Sequence, residues 1–132
     1  MGALREAEFE GKRIPLATLV RQHHLAWTIN GVAVSEHVHE PMLTLKRGSH
    51  HVLAMRNETA WPHPIHLHGH VFRIIARDGR PTRYREWADT VLMAPREKVD
   101  IAFVADNPGD WMFHCHILSH QAGGMMGLIR VV

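Results

Sequence analysis

The chain has 132 residues, enough for one domain to bury a core without disulfide staples, and it holds a single cysteine, Cys115. Lys and Arg number 15 against 13 Asp and Glu, with the charges interspersed, which excludes a polybasic nucleic-acid or membrane-surface binder. At 45% hydrophobic and 21% charged residues it is no disordered tail, and no apolar run approaches the ~18 residues of a membrane-spanning helix. The abnormal count is 13 His.

Residues 1–13 are polar, with Arg5, Glu6, Glu8, Glu10, Lys12 and Arg13, and read as a linker or edge segment without a signal-peptide apolar region. Residues 14–132 read as one domain. Strands are expected at 25–29, ahead of the turn dipeptide Asn30-Gly31, then at 42–46 and 51–56. A long extended run covers 65–76 and closes at Asp78-Gly79. Further strands fall at 90–93, 99–104, 111–115 and 126–132, with a turn at Asn107-Pro108-Gly109-Asp110. Only 117–121 suits a helical turn. Strands recurring every 8–12 residues point to an all-β sandwich or barrel.

Two segments carry the chemistry: His63-Pro64-Ile65-His66-Leu67-His68-Gly69-His70, and His114-Cys115-His116-Ile117-Leu118-Ser119-His120-Gln121-Ala122-Gly123-Gly124-Met125. Side chains alternate along a strand, so His66 and His68 share one face, as do His114 and His116, while Cys115 points the other way. A tight loop closes Cys115, His120 and Met125 around one ion, with His63 as a fourth ligand. Two imidazoles, a thiolate and a weak thioether are the donor set of a blue-copper site, whereas structural zinc prefers closed sets richer in Cys. The second, all-imidazole set suits several metals; beside a blue-copper site, copper is the economical choice.

These two motifs, with the run Trp87-Ala88-Asp89-Thr90-Val91 and the segment Ala105-Asp106-Asn107-Pro108-Gly109-Asp110-Trp111, resemble the C-terminal cupredoxin domain of the laccase-like multicopper oxidases, over about residues 25–132. The resemblance implies a single-domain Greek-key β-sandwich of cupredoxin type. It implies type 1 copper on His63, Cys115 and His120 with Met125 axial, type 2 copper on His66, and type 3 coppers on His68, His114 and His116. It also implies electron passage from Cys115 into His114 and His116, and reduction of dioxygen to water at the expense of a small phenolic or metal-ion reductant. The resemblance suggests a periplasmic or secreted location, while the polar residues 1–13 leave open a cytosolic chain or one whose leader was removed.

The family cluster uses four His-x-His pairs, and the motifs of this chain that resemble the family's supply two, His66/His68 and His114/His116; His37/His39 is a further such pair in a stretch that reads as loop. The missing pairs are expected from another domain, another chain or an identical subunit in a homo-oligomer. Gln121 stands where many relatives carry an acidic residue thought to help proton delivery. A type 1 electron-transfer module is the alternative; it has no need of the paired histidines. A copper-storage protein predicts weak sites without blue colour, and a zinc hydrolase lacks its His-Glu-x-x-His stretch. His70 reads as a structural neighbour of the ligands, His37 and His39 as loop histidines, and His23, His24, His50 and His51 as exposed or edge residues. Met42, Met55, Met93 and Met112 read as core; Trp61 and Trp87 read as core in preference to the rim of a substrate pocket, and Asp89 as a weaker candidate for positioning a substrate or loop.

Overall fold

A computed structural model of the protein describes residues 6–15, 17, 29, 32, 40–117 and 124–132. Its named elements are all strands: β1 (Glu6–Phe9), β2 (Lys12–Pro15), β3 (Leu43–Leu45), β4 (His50–Arg56), β5 (His63–Leu67), β6 (Phe72–Arg77), β7 (Arg80–Pro81), β8 (Trp87–Ala88), β9 (Thr90–Met93), β10 (Lys98–Val104), β11 (Gly109–Cys115) and β12 (Met126–Val131). The segment expected as a linker or edge segment carries β1 and the start of β2, which pair with each other. The strand expected at 25–29 lies outside the described residues except for Ile29. Ile29 exchanges both backbone hydrogen bonds with Val32.

Two five-stranded sheets face each other. One runs β4-β10-β6-β7 with β8 also on β6, and the other runs β3-β12-β11-β5-β9. From β3 to β6, and again from β8 to β11, the chain alternates between the sheets, so both wrap one core. All pairs are antiparallel except β12 with β3.

Alternation in the sequence decides which side chains face inward. In β10, Val99, Ile101 and Phe103 are buried, and their cross-strand partners in β4 are Met55, Leu53 and His51. In β5, His63, Ile65 and Leu67 are buried, while Pro64 and His66 lie on the outer side. Phe72, Leu67, Ile101, Ile129, Val91, Val99 and Cys115 are the most completely enclosed side chains. Each of the large aliphatic or aromatic ones contributes about 1.5–3 kcal/mol of burial.

The extended run expected over 65–76 is broken. β5 ends at Leu67, the chain turns at His68 and Gly69, and β6 begins at Phe72 in the opposite sheet. Gly69 makes the corner. Its φ is +73°, and a Cβ there would lie 2.5 Å from the Trp111 ring. Continuous β propensity did not reveal this, because the constraint comes from a tryptophan in another strand.

Candidate metal centre

The two histidine motifs meet because β5 and β11 are adjacent antiparallel strands. Their register pairs His66 with His114, Ile65 with Cys115 and Leu67 with Phe113. Residues directly opposite point to the same side of a sheet. One strand pair therefore presents two different surfaces. His66 and His114 stand on the outer face, while Cys115 and His63 stand on the inner face, within the core. His68 and His116 lie one residue beyond their strands, but the ladder continues past them. The His68 N–H donates to the Met112 carbonyl at 2.9 Å, and the His116 N–H to the Pro64 carbonyl at 2.6 Å.

On the outer face the four imidazoles gather. Ring centroids are 4.6 Å apart for His66–His68, 5.0 Å for His68–His114, 5.6 Å for His66–His114 and 5.7 Å for His66–His116. Two of the rings are oriented by backbone carbonyls. His66 Nδ1 is 2.8 Å from the Asp89 carbonyl oxygen, and His114 Nδ1 is 2.8 Å from that of Cys115. A carbonyl only accepts, so each Nδ1 carries a proton, and the neutral form of each ring has its lone pair on Nε2. The Nε2 atoms of His68 and His114 lie 2.9 Å apart, with His68 donating. Burial, and then the neighbouring imidazoles, hold His68 below the usual histidine range. Burial likewise lowers His114, against the raising effect of its bond to Cys115. Neutral imidazoles with fixed orientation are what a metal-binding histidine set needs.

On the inner face, Cys115 Sγ lies 3.5 Å from His63 Nδ1. Ligands at ~2.3 Å (sulfur) and ~2.0 Å (nitrogen) from one ion at a roughly tetrahedral angle would stand about 3.5 Å apart. The Cys115 N–H donates to the Met125 carbonyl at 3.2 Å, which brings that buried methionine beside the thiol in the core. Burial raises the Cys115 thiol above its ordinary value. By donor chemistry, the inner sulfur and imidazole suit copper, and the outer imidazoles suit copper among several metals.

Among the described residues, no three His, Cys, Asp or Glu side chains converge on one point. His120, expected as the third strong ligand of the inner set, lies outside the described residues, as do Gln121, His23, His24, His37 and His39. Of the remaining histidines, His50 is exposed, and His51 is half-buried with its Nε2 2.6 Å from Ser49 Oγ. His70 belongs to neither set. It is buried against Phe103 and Trp111, and its Nδ1 lies 3.2 Å from the carbonyl of His68.

Met93 is core, and Met42 and Met55 pack against it, but Met112 is only half-buried. The expectation that Trp61 and Trp87 are core is wrong, since both are 59% exposed. Trp87 sits on the short strand β8, where the Arg73 guanidinium covers its ring at 4.4 Å. Asp89 acts on His66 chiefly through its main-chain carbonyl; its carboxylate is 3.8 Å from the same ring and largely exposed. Sequence reasoning passed over Thr59, whose hydroxyl meets His63 Nε2, and Asn57, which bonds that hydroxyl in turn. Their only linear signal is their place just ahead of the first motif.

The motifs, the fold and the site define a copper-oxidase class of β-sandwich. The multicopper oxidase family model matches residues 11–132, and the chain belongs to that family. It is 44% identical over 99 residues to the multicopper oxidase MmcO of Mycobacterium tuberculosis, covering 75% of this chain and 18% of that protein. The solved multi-copper oxidase of Pseudomonas parafulva superposes with a TM-score of 0.73 at 40% identity, over 81% of this chain and 27% of that one. A Campylobacter jejuni multicopper oxidase described as a metallo-oxidase superposes at 0.71 and 30% identity, over 79% of this chain and 22% of its own. The cupredoxin-type sandwich and copper as the family's metal are thereby established. The chain spans under a third of the length of each of these relatives.

Proposed function

We propose that this chain is the domain of a laccase-like multicopper oxidase that holds its type 1 copper and half of its trinuclear cluster. The enzyme would oxidise phenolic or metal-ion substrates by single electrons and reduce dioxygen to water. The observation that carries this reading is the β5–β11 register, with thiol and imidazole on the inner face and four imidazoles on the outer. On this reading His63, Cys115, His120 and Met125 hold the first copper, and His66, His68, His114 and His116 serve the cluster. Copper bound at these sets supplies one-electron transfer and oxygen reduction. The chain's own part is to orient the imidazoles through carbonyls, to keep the thiol out of water, and to join the two sets through the adjacent residues His114, Cys115 and His116. The remaining pairs come from another domain, another chain or an identical subunit, in keeping with the small share of its relatives that this chain spans. An electron-transfer module alone leaves the outer imidazoles without a use.

The test compares Cys115→Ser with His116→Ala in the copper-loaded, oxygen-consuming fraction. Cys115→Ser should abolish both the intense blue absorption and substrate oxidation. His116→Ala should keep the blue colour and lose oxygen uptake. A Cys115→Ser protein that stays blue, or a His116→Ala protein with full oxygen uptake, contradicts the assignment.

A further inference from the structure

Behind His63, on the side away from Cys115, lies a hydrogen-bond chain that neither motif contains. Asn57 is buried, and its Nδ2 donates toward the carbonyls of Trp61 at 2.7 Å, Ala94 at 3.0 Å and Met93 at 3.4 Å. Carbonyls only accept, so this fixes which end of the amide is nitrogen and turns Oδ1 toward Thr59. Thr59 meets Asn57 Oδ1 with both its backbone N–H, at 3.0 Å, and its hydroxyl, at 2.7 Å. The hydroxyl's other oxygen neighbour, the Trp61 carbonyl at 3.1 Å, is also only an acceptor. The single hydroxyl proton is therefore committed to a carbonyl oxygen. Thr59 Oγ1 is left to accept, from the Trp61 N–H at 3.2 Å and from His63 Nε2 at 2.8 Å. A neutral imidazole that donates from Nε2 carries its lone pair on Nδ1, and His63 Nδ1 is the atom that faces Cys115 Sγ.

We propose that Asn57 and Thr59 are positioning residues that lock His63 in its Nε2–H tautomer, so that Nδ1 is presented to the metal beside Cys115. The inference rests on the ligand reading given under Proposed function. Partners of this kind set the tautomer and orientation of a ligating imidazole, and losing one costs about 10–100-fold in metal affinity.

The experiment uses the full chain with Thr59→Val, which keeps the shape and removes the hydroxyl, and Thr59→Ser, which restores it. In the metal-free chain, nitrogen NMR of the His63 ring should report the Nε2–H tautomer in wild type and Thr59→Ser, and a mixture of tautomers in Thr59→Val. In the copper-loaded chain, Thr59→Val should lose about 10–100-fold in affinity at the blue site and Thr59→Ser should recover it. An Nδ1–H tautomer in the wild type overturns the proposal, as does a Thr59→Val chain with unchanged tautomer and affinity, or a Thr59→Ser chain as impaired as the valine variant. A wild-type chain with no thiolate-to-copper band overturns the ligand reading and the positioning role together. A wild-type band with an unaffected valine variant overturns the positioning alone.

Discussion

At the scale of the residue, the chemistry resides in protonation and orientation. His68 and His114 are held below the ordinary histidine value of 6.5, and burial is the largest cause for each. The folded chain thus takes up fewer protons than the unfolded chain as pH falls through that value. The stability these neutral rings contribute is whole above the unfolded pKa and is lost progressively below it. The metal-free chain should accordingly unfold at a lower urea concentration near pH 5.5 than near pH 7.5. A midpoint insensitive to pH across that range contradicts the burial of two neutral imidazoles.

The candidate ligands were readable in the sequence because His and Cys advertise themselves at fixed spacing. Asn57 and Thr59 were not, because their role depends on the turn that folds them behind His63. Trp61 and Trp87 misled for a related reason. Aromatic character suggests burial, but β8 lies at the border of its sheet, where Trp87 packs under Arg73 and stays exposed.

At the scale of the element, the register of β5 against β11 is decisive. Alternation alone placed His66 with His68 and Cys115 opposite its neighbours. It could not tell that His66 would lie directly across from His114, because strand pairing is a long-range property. Nor did it reveal the corner at Gly69, which ends β5 and swings the chain to the opposite sheet. Trp111 donates its Nε1–H to the Asn107 carbonyl, and the Asn107 side chain donates to the Gly69 carbonyl at 3.0 Å, so the corner is tied to β11. Gly69→Ala should cost stability through both the positive φ and the collision with Trp111, by about 1–3 kcal/mol, and should displace His68. Chemical denaturation measures the first effect, and the ring signals of His68 and His114 report the second. A variant as stable as wild type with unshifted rings contradicts this account of the corner.

At the scale of the whole molecule, the sandwich acts as a two-sided plate. Its core side encloses the thiol, and its outer side presents imidazoles, with His114 buried and His116 exposed. Fold class and metal type were legible from the chain because strand spacing and donor types are local. The completion of the outer set was legible only as a shortage, since two His-x-His pairs are half of what the family cluster uses. On the proposed reading, one strand pair carries His63 and Cys115 of a blue site on its inner face and half a cluster's imidazoles on its outer face, with His120 and Met125 completing the blue site from beyond that pair. Copper content and blue absorbance of the copper-loaded chain, resolved by size, decide it. The monomer should be blue, hold one tightly bound copper and consume no oxygen. An oxygen-consuming two-chain assembly should hold roughly 2.5 coppers per chain, two blue sites plus one shared cluster. A colourless copper-bound chain, or a monomer that reduces oxygen by itself, would contradict the claim.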